Sequence, residues 1–564
     1  MRDRSISALR TLRPVSDSDI FWFRDDLHQP NPISPMGMTT VQKHHAWGYH
    51  WAAREVSLPP SKGAYVKIHK GRVYLGFALI KDEQEVAARA ERFGAFVRHC
   101  RENWDAFYNG NIDEVKVGLA AMRNFNADTA TWSALLEQVK KADEINRRNW
   151  EIHFLLMYPA DTLYLECEAY CRQLGLEEKD FVTILKGFDS MPAKTDEAMW
   201  QLALRARELG LSSVISGTAN SEVRGALEAR PEGAIWLREL DVFLETYGNR
   251  INAAHLDVLF STWREDPIPV LDTIRTYFRR IDDGWDFYRA REAVYRERDE
   301  AIAACESKLA GESERTAFRE MLAIGQRVYA YQEDHGFYID QGSTAGLHDV
   351  LIGAARQLKK VGLLKRAEDI FFLTFSELVE VLTDLSRDED IALYHHAALV
   401  PQLVDERKQY WEEAKTDDAP LTLGNVPKTM TDPIAIKVFG IIDEVLHPKG
   451  EKVVAETLTG FAGSAGVAQG RARVVRDFEE FSKVQSGEIL VAPYTGTAWT
   501  PLFLKVAGVV TDTGGMLTHA AIAAREYGIP AVVGTWNATN SIRDGDIVRI
   551  DGSAGVVEIL QRAS

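Results

Sequence analysis

Apolar and polar positions change rhythm twice along this chain. Between about residues 85 and 415 the step is helical. In TWSALLEQVKKADEI, Trp132, Leu135, Leu136, Val139 and Ala142 recur at the three-and-four spacing of one buried stripe, and LHDVLIGAARQLKKVGLL repeats it. Before that, residues 20–80 carry Pro30, Pro32, Pro35, Pro59 and Pro60, then AYVKIHKGRVYLGF, whose alternating runs around KGR predict a hairpin. No fixed-period repeat is visible, which argues against a solenoid. Residues 415–457, with TDDAPLTLGNVPKTMTDP and HPKGEK, are turn-rich; they are expected to complete the helical domain and lead into a linker. Short β-branched runs follow, RARVV, EILVA, AGVVTD, PAVVG, DIVRI and GVVEIL, separated by Gly and Asp and interrupted by one helix-like insert, THAAIAAREYG. The expected fold is therefore multidomain. A mainly α domain with a small β-containing N-terminal part covers 1–455 and ends in a linker near 415–457; a compact α/β domain covers 458–564.

Composition narrows the class. Of 564 residues, 46% are apolar and 26% charged, an ordinary globular balance. A net charge of −17 argues against a broad nucleic-acid footprint. Residues 458–564 hold nine Lys plus Arg and ten Asp plus Glu, so this segment is close to neutral and −16 falls on the rest. Near-neutrality is compatible with a domain that docks reversibly on more than one surface. The first residues lack the apolar core of a signal peptide, and no apolar run approaches the ~20 residues of a bilayer span. A cytoplasmic protein without a membrane partner is expected. Cys167 and Cys171, four apart, read as buried thiols rather than half of a zinc site. His44, His45 and His50 sit among Trp47, Tyr49 and Trp51 with no carboxylate nearby in sequence, so no metal is expected there.

The chemistry is carried by Thr511 to Gly534, TDTGGMLTHAAIAAREYGIPAVVG. VAGVVTD reads as a buried strand ending at Asp512. Gly514 and Gly515 admit backbone angles closed to other residues. Thr518 suits the cap of an Ala-rich helix that Gly528 and Pro530 terminate. His519 then stands in the first helical turn, where amides and the positive helix end favour an added anion such as phosphoryl. A lone histidine there would be read as a turn residue; the glycine pair, Thr518 and the following sequence point to a phosphoryl carrier. The segment resembles the phosphohistidine domain of the dikinase superfamily, which includes pyruvate phosphate dikinase, phosphoenolpyruvate synthase and rifampin phosphotransferase. The family pattern is matched at Thr511, Gly514, Gly515, Thr518, His519, Ala520, Ala521, Ile522, Arg525, Gly528 and Pro530. The flanks GFAGSAGVAQGRARVV and GDIVRIDGSAGVVEI extend the likeness over about residues 458–560. The resemblance implies that His519 carries the phosphoryl group, with Thr518 beside it and Gly514 and Gly515 as its phosphate loop. Arg525, six residues on and about 240° around the helix, is expected to make an ion pair or a docking contact.

No ATP unit is legible. GSAGVAQGRA lacks the lysine and setting of a P-loop, the helical region does not suit ATP-grasp, and the strand–helix alternation of a pyruvate-using barrel is not visible. The large region instead resembles the helical acceptor domain of rifampin phosphotransferase and phenol-phosphorylating synthases. FWFRDDLHQPNPISPM, FLETYGNRINAAHLDVLFSTWREDP, YQEDHGFYID and LLKRAEDIFFLTFSEL carry that likeness. It implies a separate ATP-grasp partner, conversion of ATP to AMP plus phosphate, Mg2+ with the partner's nucleotide, and no tightly bound cofactor. The expected acceptor is a small aromatic compound with a phenolic hydroxyl, as in split aromatic-degrading synthases. Eleven of thirteen tryptophans precede the α/β domain and could stack it. The acceptor needs a base and the migrating phosphoryl needs a cation. His335 is the first candidate base, with Asp257 and His153 behind it; Arg250 is the candidate for holding phosphate, with His153 as a further substrate contact. Two rivals remain: a rifamycin-type antibiotic phosphotransferase, and a phosphocarrier or regulatory protein without a small-molecule acceptor. A pocket facing the histidine would favour an enzyme, and a filled helical core a carrier.

Overall fold

A computed structural model describes residues 20–252, 256–417, 419–447, 456–476, 478–496 and 499–563. The chain divides into two compact units. One comprises Met1–Pro159, Ala254–Ser261 and Tyr338–Lys428; the other comprises Ala160–Ala253, Thr262–Phe337 and Thr429–Ser564. The fold is multidomain, with a helical region followed by an α/β region.

In the first unit a four-stranded sheet holds β1 (Phe21–Arg24), β2 (Ser61–His69), β3 (Arg72–Leu79) and β4 (Thr422–Gly424) in the order β2-β3-β1-β4. The expected hairpin is β2–β3, pairing Ile68 with Val73. Its two turn residues, Lys70 and Gly71, both have positive φ, the twist that suits adjacent antiparallel strands. β1 pairs antiparallel with β3 and with β4, so part of the turn-rich 415–457 stretch is a strand of this sheet. Helices make up much of the rest of this unit, among them Glu83–Arg123 and Gly342–Lys360, which pack on each other. On the helix Trp132–Gln173 the expected stripe buries Leu135, Val139 and Ala142, with Trp132 and Leu136 half-buried.

The second unit joins a helical part to the α/β part. Helix α1 (Met191–Glu208) packs with Pro231–Tyr247 and Ile268–Asp282 around Trp200, Trp236, Trp263 and Tyr277, all buried. Helices α2 (Phe287–Ser307) and α3 (Glu312–His335) follow, and a short helical turn, α4 (Pro433–Lys437), precedes the sheet. β5 (Thr457–Thr459), β6 (Phe461–Ser464), β7 (Val467–Val474), β8 (Ile489–Ala492), β9 (Gly508–Thr511), β10 (Ala531–Val533), β11 (Ile547–Asp551) and β12 (Val556–Gln561) form an eight-stranded sheet, ordered β5-β12-β11-β7-β8-β9-β10-β6. Each of the six β-branched runs is a strand. β7 to β10 are mutually parallel, and β8, β9 and β10 are buried at every residue, as continuous apolar runs in a covered parallel sheet should be. Helix α5 (His519–Tyr527) connects β9 to β10. Among the described residues no helix is long and apolar enough to cross a membrane.

Candidate phosphotransfer site

His519 is the first residue of α5, and Thr518 precedes it with extended backbone angles. Thr518 occupies the capping position, but its hydroxyl donates to the Gly515 carbonyl at 2.7 Å and does not cap the helix. Gly528 ends α5 in the left-handed conformation at φ 64°. The two loop glycines have different reasons. Gly514 takes φ +100°, whereas a Cβ on Gly515 would lie 2.3 Å from the Lys437 carbonyl and 2.6 Å from that of Ile436. Leu517 N–H donates to the Lys437 carbonyl at 3.1 Å, so α4 backs the loop that presents the histidine.

The His519 side chain is 11% exposed. Its Nδ1 lies 3.4 Å from Glu333 Oε2 and its Nε2 lies 3.4 Å from Thr500 Oγ1. Neither contact is tight, and Nδ1 makes no hydrogen bond with the protein. The ring meets Phe503 edge-on at 5.8 Å.

Beside it opens a cleft with about 590 Å³ of empty space, its mouth included. Phe188, Phe287, Tyr295 and Tyr527 supply aromatic wall, and Asp196, Glu333, Glu526 and Arg291 supply charge. Burial pushes the Asp196 carboxyl up to about 7, against the pull of Arg250 and Arg291. Burial likewise pushes Glu526 up to about 7, although its Oε1 accepts the Gly187 N–H at 2.9 Å and Arg291 acts the other way. The Tyr527 hydroxyl donates to Asp196. Arg525, buried, donates to the Tyr329 hydroxyl at 2.9 Å and to the Met516 carbonyl at 2.8 Å. Thus α5 meets the helical part of its unit through three consecutive residues, Arg525, Glu526 and Tyr527.

Residues 484–555 match the family described as PEP-utilising enzyme, mobile domain. Residues 156–333 match the rifampicin phosphotransferase fourth domain. Two stretches of this chain are thus similar to a PEP-utilising mobile domain and to a rifampicin phosphotransferase domain. The mobile-domain segment holds Gly514, Gly515, Thr518 and His519; the fourth-domain segment holds Asp196, Arg250, Arg291 and Glu333. Among curated relatives, the chain is 26% identical over 558 residues to the uncharacterized phosphotransferase YvkC of Bacillus subtilis, covering 97% of this chain and 63% of that one. It is 28% identical over 557 residues to chondramide synthase of Chondromyces crocatus, covering 96% and 14% respectively. It is 30% identical over 330 residues to rifampicin phosphotransferase of Bacillus cereus, covering 57% and 34%. The chain therefore spans less than two thirds of the length of each of these relatives.

The other residues nominated from the sequence fall elsewhere. His335 does not line the cleft; its Nδ1–H donates to the Tyr331 carbonyl at 3.0 Å. Glu333, two residues earlier, does line it. Residues two apart on a helix point about 200° apart, so YQEDHGFYID can present one of the pair to the cleft but not both. Arg250 is 1% exposed, stacks on Trp263 and Phe337, and donates to Thr195 Oγ1 at 3.1 Å. It acts on the cleft's carboxylates without lining it: burial lowers its guanidinium to about 10, while Asp196 and Glu333 pull the other way. Asp257 and His153 belong to the other compact unit. Asp257 accepts from Ser34 N at 2.7 Å, Ser34 Oγ at 2.5 Å and Leu259 N at 3.1 Å, an internal bracing role, and burial raises it to about 6. His153 Nε2 lies 3.2 Å from Asp340 Oδ1. Sequence reasoning missed Glu333, Asp196, Arg291 and Glu526. Arg291 sits in the charged run RAREAVYRERDE, where nothing in the sequence distinguishes it from its neighbours.

The histidine doublet is also accounted for. His44 Nε2 lies 2.7 Å from Asp143 Oδ1, a carboxylate the fold brings from 99 residues away. His45 packs against Trp150, and burial pushes it down to about 3.

Proposed function

We propose that this chain relays a phosphoryl group through His519 to the hydroxyl of a small aromatic acceptor held in the cleft. The observation that carries the reading is the cleft itself, which opens on His519 and is walled by aromatic side chains. A pure carrier would not need it. Relatives named for rifampicin phosphorylation and for natural-product synthesis support a small-molecule acceptor. A macrocycle is the second reading, and the size of the cleft favours a phenol-sized ring over it.

Glu333 lines the cleft and stands beside His519 Nδ1, so it is the group placed to move the proton. The acceptor oxygen bonds to phosphorus as the P–N bond to Nε2 breaks. The hydroxyl proton goes to the Glu333 carboxylate, which can return it to Nδ1 so that the ring leaves as neutral imidazole. General-base help of this kind is worth about 10²–10⁴-fold. The phosphoryl group originates from ATP on an ATP-grasp unit, with Mg2+ accompanying the nucleotide. No described residue between 85 and 415 is in a strand, apart from one isolated bridge between Ile251 and Thr262, which is why that unit is assigned to a partner.

The test is acid-labile phosphate at His519, detected by mass spectrometry during turnover with an ATP-grasp partner and a panel of phenols. His519→Ala is expected to abolish it without unfolding the protein. Glu333→Gln is expected to leave His519 phosphorylated and to slow transfer by about 10²–10⁴-fold. Stable phosphate on another residue would sink the relay.

A further inference from the structure

The phosphoryl group leaving His519 brings negative charge into a cleft that already holds three carboxylates, Asp196, Glu333 and Glu526. Among the described lining residues Arg291 alone is a lysine or arginine. Its surroundings are unusual for a partly buried guanidinium. Arg291 Nε donates to the Tyr295 hydroxyl at 3.0 Å and Nη2 donates to the same oxygen. No carboxylate among the described residues stands within ion-pair distance of it. Other arginines of the described residues are paired with carboxylates, for example Arg319 with Glu306 and Arg205 with Glu239. Among the described residues Arg291 therefore has no carboxylate at contact distance and an Nη1 without a hydrogen bond, an arrangement that suits phosphate oxygens.

The guanidinium is also held in place. It lies 5.9 Å from the Phe287 ring and 5.4 Å from the Tyr295 ring. Tyr295 is fixed in turn: Arg298 lies over its ring at 5.2 Å, and a Cβ on Gly187 would come 2.8 Å from that ring. Gly187 has φ +72°, donates to Glu526 and accepts from Arg298 Nη1 at 2.8 Å. The Arg291 charge is felt by Asp196 on α1 and by Glu526 on α5, so its field reaches both sides of the cleft. A cation preorganised this way stabilises developing charge without reorganising at the moment of reaction.

We infer that Arg291 is the catalytic residue that takes the charge of the migrating phosphoryl group, with Tyr295 as the residue that positions it. The inference rests on the reading of His519 as carrier. It assigns to Arg291 the role that the sequence suggested for Arg250.

The full-length protein is loaded at His519 with phosphoramidate, which phosphorylates histidine without nucleotide or partner. Two quantities are read. The first is the 31P titration midpoint of the phosphohistidine. In Arg291→Gln it should rise by about 1 unit, because an opposite charge lining the same cleft is removed. The second is the single-turnover rate of transfer to phenol, expected to fall by about 10²–10³-fold with little change in the phenol concentration at half-maximal rate. Arg291→Lys should keep most of the midpoint and lose part of the rate. Tyr295→Phe should lower the rate less than Arg291→Gln does, and added guanidinium ion should partly restore an Arg291→Ala variant. A purely structural arginine would change melting temperature and leave the 31P midpoint alone. Loaded variants whose midpoint and rate equal those of the unaltered protein overturn the role of Arg291 and leave the carrier reading intact. Failure of the unaltered protein to take label at His519 overturns both.

Discussion

At the scale of single residues, the cleft concentrates carboxyls whose protons are held by burial. Asp196 and Glu526 both rise to about 7 against ordinary values of 3.8 and 4.5. Between those values and about 7 the folded protein binds more protons than the unfolded chain, so stability falls as pH rises through that window and levels off above it. Asp161, Asp257 and Asp512 are also raised to about 6, so the slope of the unaltered protein belongs to several groups. The difference between variants isolates one of them. Glu526→Gln keeps an oxygen to accept the Gly187 N–H but cannot ionise. Its melting temperature should decline less than that of the unaltered protein between pH 5 and 8, with the two curves converging at the acid end. Parallel curves would show that Glu526 does not titrate in this range.

At the scale of elements, the histidine loop depends on close backbone approach. β9 delivers the chain to Asp512, whose side chain accepts from Thr539 N at 2.9 Å, and the loop then turns through Gly514 and Gly515 against α4. Gly515→Ala would drive a methyl into two carbonyls and should cost about 1–3 kcal/mol, the range for overpacking a well-filled site. Gly110 offers the contrast: it lies inside the Glu83–Arg123 helix with nothing within 4 Å of an added Cβ. Gly110→Ala should stabilise the protein by about 0.5–1 kcal/mol. Denaturant unfolding of the two variants checks both signs. A Gly515→Ala protein as stable as its parent would mean that α4 does not press on the loop.

At the scale of the whole molecule, the α/β part of the second unit meets the helical part through apolar contacts, with Leu504 inside the cluster around Trp200 and Trp236 and Tyr527 packed against it, and also through polar ones. Arg525 bonds Tyr329, Glu526 bonds Gly187 and Tyr527 bonds Asp196, while Lys437, just before the sheet, pairs with Glu168 at 2.7 Å. Hydrogen bonds and ion pairs of this kind exchange with water at little net cost, so the polar share of the contact is compatible with the proposed relay. If the phosphoryl group comes from a partner, labelled ATP added to this chain alone should leave His519 unlabelled. Label should appear when an ATP-grasp protein is supplied. Labelling by ATP without a partner would place a nucleotide site on this chain.

Local pattern was enough for much of this protein. The stripe of Leu135, Val139 and Ala142, the hairpin about Lys70 and Gly71, the six β-branched strands and the helix that Gly528 terminates all follow from periodicity and turn chemistry, which act over a few residues. Gly514 was legible for the same reason, since its positive φ is a local demand. What surrounds His519 was not. Glu333 and Arg291 are 186 and 228 residues from it in sequence, and only packing decides that they share its cleft while His335 turns away. The same holds for His44, whose carboxylate arrives from another helix, and for Gly515, which is required by a backbone segment nearly eighty residues earlier. A side chain's partners depend on which faces are buried together, and no local spacing encodes that.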